Sequence, residues 1–267
     1  MEISQQLKIL IEKYGFNVKK NLGQNFLVAS SAINFIANAV CSGPKENYIE
    51  VGPGFAFLTK EVAKKANFVF AIEKDKSFLE FYKDLSLPNV QFIIDDALNV
   101  NYDEFNVQEL FGNIPYYISS DLIIKIAKSK IVRAVLLLQD EFAQRIIAKP
   151  NTKEYSSITV LTHFFFQTTF IKRFPPSFFF PRPNVYSTLV ELRRIREYDS
   201  NLEDFLVFIH RAFFSKRKKL LSNLKKFYKG DFSSIFSELD INVLARPEDI
   251  TEETYFKIYE NMIKFCE

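Results

Sequence analysis

Between residues 48 and 148, short runs rich in β-branched and aromatic residues alternate with stretches of helical periodicity. Such alternation builds a parallel sheet whose strands are joined by crossover helices. Strands are expected at 48–51, 68–72, 90–94, 109–112 and 132–138, with helices at 58–65, 76–83, 120–128 and 141–148. Ahead of them, Leu7, Leu10, Ile11 and Tyr14 recur at helical spacing, and Ile33, Ile36, Ala37 and Val40 mark a second helix over 31–41. Residues 19–27 between these helices read as a polar loop.

Beyond Pro150 the pattern changes. A helix or strand near 156–166 leads to a strand ending at Arg173, a Pro-rich turn over 174–183, and a last strand at 185–193 that closes the sheet. From Asn201 the periodicity is helical, with Phe205, Ile209, Ala212 and Phe213 on one face and Leu220, Leu221, Leu224 and Phe227 on the next. The expected organisation is a Rossmann-like, doubly wound α/β domain over 1–195 and a small all-α domain over 196–267.

No apolar run approaches the roughly 18 residues that a membrane span needs. Glu2, Lys8, Glu12 and Lys13 interrupt the first helix, so it lacks the apolar core of a signal peptide, and a cytoplasmic protein is expected. The only cysteines, Cys41 and Cys266, lie far apart and read as free thiols. With His163 and His210 the only histidines, no metal site is expected.

Net charge is only +3, but its distribution is uneven. Arg211, Lys216, Arg217, Lys218, Lys219, Lys225, Lys226 and Lys229 crowd residues 205–230, which contain no Asp or Glu. Such a face neutralises phosphates and releases counterions, so a nucleic-acid partner fits it better than a merely solvated helix does. Phenylalanine is abundant at 30 residues and glycine scarce at 7, so a single Phe is weak evidence and each Gly is informative.

The strongest local signal is Glu50-Val51-Gly52-Pro53-Gly54-Phe55-Ala56, between the first expected strand and a helix. Gly52 permits a tight turn, Gly54 lets backbone approach a ligand, and Ala56 occupies the third position of a nucleotide-binding turn. Glu73 ends the second strand about twenty residues on, where a carboxylate accepts from both hydroxyls of a ribose. Asp96, followed by Ala97, is placed to accept from an adenine amino group with Ala97 against the ring; the ordinary alternative is a helix cap. An adenosine ligand follows, either a dinucleotide or S-adenosylmethionine.

Asn113-Ile114-Pro115-Tyr116 favours the second. An adenine N6 is a poor nucleophile because its lone pair is delocalised into the ring. If the Asn113 side-chain oxygen and the Ile114 carbonyl both accept its N–H bonds, the nitrogen can pyramidalise toward a methyl group without a strong base. Pro115 stiffens the turn, and Tyr116 can stack on an extruded base. The plainer alternative is a strand ending in a Pro turn.

Together with Asn21-Leu22-Gly23-Gln24-Asn25-Phe26-Leu27, these motifs resemble in order and spacing the ribosomal RNA adenine N6,N6-dimethyltransferases. The resemblance implies an S-adenosylmethionine-dependent enzyme. It places Gln24, Asn25 and Leu27 over the methionine end of the cofactor, Gly52 and Gly54 around its carboxylate and sugar, and Lys74, Asp96, Ala97 and Asn113 beside Glu73 in the cofactor set. It makes Phe179 the second aromatic that sandwiches the base against Tyr116, although Phe178 and Phe180 flank it and a core Phe is the alternative.

Gln139 within Leu138-Gln139-Asp140-Glu141, and Lys216, Arg217, Lys218 and Lys219 as RNA-binding residues, resemble the small-subunit enzymes. The implied substrate is a pair of adjacent adenosines near the 3′ end of small-subunit rRNA, in a precursor particle, acted on by a monomer. Departures are Ala56 for a third Gly, Lys216 for Arg and Ser222 for Asn; the first is expected to be sterically mild. The rivals are a large-subunit (23S) adenine methyltransferase conferring antibiotic resistance, a non-catalytic ribosome-assembly factor, and, last, a nicotinamide oxidoreductase.

Overall fold

The computed structural model describes residues 3–19, 23–43 and 45–264. Asn21, Leu22 and Cys266 therefore lie outside the described residues. Helix α1 (Ile3–Tyr14) precedes a short strand β1 (Phe26–Leu27) and α2 (Ser30–Val40). The alternating segment follows: β2 (Asn47–Val51), α3 (Phe57–Ala63), β3 (Phe68–Glu73), α4 (Leu79–Lys83), β4 (Val90–Ile94), β5 (Glu109–Asn113), α5 (Ser119–Lys128), β6 (Arg133–Gln139) and α6 (Asp140–Ile146). Then come α7 (Ser157–Phe165), β7 (Phe166–Phe174), β8 (Phe179–Phe180), β9 (Ser187–Arg194) and the helices α8 (Glu203–Ala212), α9 (Leu220–Phe227), α10 (Phe232–Glu238) and α11 (Glu252–Lys264).

Seven strands form one sheet in the order β4-β3-β2-β5-β6-β9-β7, the first five parallel and β9 antiparallel to β6. The last long strand thus sits inside the sheet and β7 forms the edge, where the sequence placed the last strand as the closing one. On one face, alternate strand residues Val69, Ala71, Phe111, Val135, Leu137 and Leu189 join Ile33 and Ile36 of α2 and Leu58 and Val62 of α3 in a single core. Residues 133–138 of β6 are buried without a break, as a strand covered on both faces must be.

Arg133 begins β6 with a buried guanidinium. It pairs with Glu109 of β5 at 2.9 Å and Glu191 of β9 at 2.5 Å, and donates to the Ala39 and Val40 carbonyls at the end of α2. One side chain therefore ties two neighbouring strands and a helix terminus together.

Contacts divide the chain into two units, Met1–Ala143 with Thr169–Arg194, and Gln144–Thr168 with Ile195–Glu267. The sequence boundary at 195/196 falls beside the last of the three junctions, but Gln144–Thr168, expected in the α/β domain, lies with the helices. Ser156 and Thr159 form a capping box that starts α7, settling the helix-or-strand choice left open there. Phe164 of α7 then meets Phe205 of α8 at 4.7 Å between ring centroids, and Phe205 meets Tyr259 of α11 at 5.3 Å. Periodicity shows which side chains of such a helix are apolar, and only packing shows which neighbours bury them. Among the described residues no helix is long and apolar enough to cross a membrane.

Candidate functional site

Gly52 and Gly54 follow β2 with φ of +74° and +53°, and Gly52 N–H donates to the Ile72 carbonyl of β3 at 2.9 Å. A Cβ on Gly54 would lie 2.9 Å from the Phe26 ring, so the packing of β1 requires glycine here. Ala56 also adopts left-handed backbone, φ +56°, where a Cβ costs about 1–2 kcal/mol. The substitution expected to be mild is therefore strained, and full burial of Ala56 holds it in place.

Glu73 ends β3 and faces this turn. Its carboxylate accepts from Gly54 N–H at 3.1 Å and Asp75 N–H at 2.9 Å. Burial pushes its pKa up to about 7, against the downward pull of those N–H bonds. Asp75, 3% exposed, was not singled out in the sequence, yet it anchors the segment before β1: Lys19 Nζ lies 2.6 Å from one oxygen and Gln24 Nε2 donates to the other at 2.8 Å. Its only sequence signal is its position two residues after Glu73.

Asp96 lies beyond β4. One oxygen accepts from Leu98 N–H at 3.0 Å, closing a turn and not capping a helix, and the other pairs with Lys74 at 2.7 Å. Ala97 is buried, and the Tyr102 hydroxyl donates to its carbonyl at 2.8 Å, fixing the loop.

Asn113 is the last residue of β5. Its Nδ2 donates to the Asn25 carbonyl at 2.7 Å, which orients the amide and leaves its oxygen on the other limb. Ile114 N–H donates to Leu137 O at 3.0 Å, so the turn departs from a point pinned to β6. The Tyr116 hydroxyl and Ser187 Oγ are 3.1 Å apart. A Cβ on Gly112 would fall 2.4 Å from the Val51 carbonyl, so close apposition of β2 and β5 beneath the site depends on that glycine.

Gln24, Asn25, Gly52, Gly54, Glu73 and Lys74 share a single cavity with Asn113, Ile114, Pro115 and Tyr116. Leu27 lines a smaller adjoining cavity with Glu50 and Phe55, whereas Asp96 and Ala97 line neither. Phe179 is 4% exposed, its strand β8 paired antiparallel to β1 with Leu27 opposite Phe179, and it belongs to the core. This is the alternative weighed for it, and the 19–27 segment contains a strand where only loop was expected. Glu50 is the other residue left without a role by the sequence: its Oε2 has no partner among the described residues, and burial raises its pKa to about 8.

The family described as ribosomal RNA adenine dimethylase matches residues 15–264. The chain belongs to that family. Similar proteins include the ribosomal RNA small subunit methyltransferase A of Natranaerobius thermophilus, 34% identical over 99% of this chain and 97% of the relative, and that of Malacoplasma penetrans, 34% identical over 93% of each. In fold it is similar to a dimethyladenosine transferase from Plasmodium falciparum, TM-score 0.74 at 23% identity over 90% of this chain and 98% of that one. It is also similar to the 23S rRNA methyltransferase ErmE, TM-score 0.64 at 24% identity over 90% of this chain and all of that one.

As a ribosomal RNA adenine dimethylase the chain is an S-adenosylmethionine-dependent enzyme with a Rossmann-like fold and C-terminal helices. The cavity suits that cofactor: it holds a buried carboxylate that accepts from Gly54 N–H, beside two glycines of positive φ. In the helical unit Arg217, Lys218 and Lys219 are exposed, whereas Lys216 is half-buried and donates to the Lys153 carbonyl at 3.0 Å.

Proposed function

We propose that this enzyme dimethylates N6 of two adjacent adenosines near the 3′ end of small-subunit rRNA, acting as a cytoplasmic monomer on a precursor particle. Near-full-length similarity to small-subunit methyltransferases, with Gln139 and the Lys216–Lys219 cluster, supports this over the large-subunit reading. The observation that carries the chemistry is the Asn113 amide, held by Asn25 at the mouth of the cofactor cavity.

The flipped adenine donates its N6–H bonds to Asn113 Oδ1 and the Ile114 carbonyl, which draws the nitrogen lone pair out of the ring. Tyr116 stacks on the base. Burial raises its phenol pKa, so it stays neutral and serves as a platform. S-adenosylmethionine supplies an electrophilic methyl on a sulfonium. The new N–C bond forms as the S–C bond breaks, and the nitrogen releases one proton to solvent. One N–H remains after the first transfer and can still donate to one acceptor, which permits the second. Gln24, Asn25 and Leu27 close over the methionine end, Glu73 holds the ribose, and Asp96 with Ala97 holds the adenine of the cofactor. For this, the Lys74 pair on Asp96 must share its oxygen with the adenine amino group.

Transfer of labelled methyl groups to ribosomal particles from an unmethylated source tests the reading. Label is expected in the small particle, at two adjacent adenosines; label in the large particle would overturn it.

A further inference from the structure

The helical unit carries a feature that phosphate neutralisation does not explain. Phe214, in the turn after α8, is 58% exposed, and Phe227 at the end of α9 is 36% exposed. Their centroids are 5.2 Å apart at an interplanar angle of 71°, so the two rings form one exposed corner. Lys226 Nζ lies 3.6 Å from the Phe214 centroid, and the Arg211 guanidinium lies 5.6 Å from Phe227 and 5.2 Å from Tyr228. Single exposed apolar residues are ordinary, even in a chain this rich in Phe. Two touching rings bracketed by cations, in a stretch without one acidic residue, are a different arrangement.

The corner is also held in place from beneath. Asn223, 1% exposed on α9, donates to the Ala212 carbonyl at 2.7 Å and the Ser215 carbonyl at 3.0 Å. This clamps the turn on both sides of Phe214, so the ring is presented by a rigid support. Cations attract a polyanion and repel a basic occupant, and exposed aromatic rings beside them suit bases whose phosphates the lysines neutralise.

We propose that Phe214, supported edge-to-face by Phe227, is a stacking platform for an unpaired base of the RNA substrate, distinct from the pocket at Asn113, with Arg211 and Lys226 engaging the flanking phosphates. This rests on the reading that the helical unit carries RNA. The platform adds an anchor for single-stranded or bulged RNA to the phosphate contacts of Arg217, Lys218 and Lys219.

The chain contains no tryptophan, so Phe214→Trp introduces a single indole that can be excited selectively, to the red of the tyrosine band. In the full-length enzyme its emission should be quenched by a single-stranded oligoadenylate, and Phe214→Leu, which keeps apolar bulk but loses the π face, should bind that oligonucleotide roughly tenfold more weakly. Phe214→Leu should leave the salt dependence of binding unchanged, whereas Lys226→Gln should reduce its slope by about 1. With ribosomal particles, Phe214→Leu should raise the KM for RNA while cofactor affinity stays as in the wild type. Absence of quenching, or wild-type oligonucleotide affinity in Phe214→Leu, would overturn the platform. So would a loss confined to intact particles, which would assign the corner to a protein partner. Methylation of the large particle would sink the substrate assignment and leave the oligonucleotide results standing, so the two failures are distinguishable.

Discussion

The Asn113 side-chain amide donates to the backbone carbonyl of Asn25 at 2.7 Å, across 88 positions of sequence. The segment proposed to close over the cofactor and the amide proposed to handle the target base are therefore joined by one hydrogen bond. Asn113→Ala should lower turnover by roughly a hundredfold or more while changing cofactor affinity only slightly. Single-turnover methyl transfer and calorimetry on the same preparation separate the two effects. Full turnover would remove Asn113 from the mechanism.

Asp75 holds that same segment from its other end, through Lys19 and Gln24. Asp75→Ala leaves both partners without their acceptor and should weaken cofactor binding about tenfold, with turnover at saturating cofactor little altered. Equal losses in both parameters would mean that Asp75 acts on the chemical step.

Glu73 sets a pH dependence whose sign differs between folding and binding. Its folded pKa of about 7 lies above the ordinary 4.5, so its contribution to folding is fullest below 4.5 and is lost as pH rises through 7. In the proposed ribose role Glu73 binds as the carboxylate, so cofactor affinity should rise between about pH 6 and 8 with release of a proton. Calorimetry in buffers of different ionisation enthalpy measures that proton. A Glu73→Gln variant should bind weakly and show no such slope.

Arg133 is a stability determinant remote from the chemistry. Arg133→Met leaves the Glu109 and Glu191 carboxylates without their shared partner and should destabilise the α/β unit by about 3–5 kcal/mol. Denaturant unfolding gives that figure. A midpoint near that of the wild type would show that the two carboxylates find other partners or solvent.

Much of this protein was legible in residues alone. Strand positions in 48–138 follow from apolar runs and turn residues, because a parallel strand must be buried on both faces. Gly52, Gly54, Glu73 and Asn113, picked out by residue type near strand ends, meet in one cavity. The sequence also displayed the basic stretch over 205–230.

Tertiary structure alone decided how distant segments meet. It paired Leu27 with Phe179 and so sent that phenylalanine to the core, brought Asp75 under Gln24, assigned Gln144–Thr168 to the helices, and set Phe214 beside Phe227 and Lys226. The physical reason is that periodicity and residue type report local conformation and which side chains shun water. Which partner buries or charges them depends on contacts between positions far apart in the chain, and these exist only once the whole chain has packed.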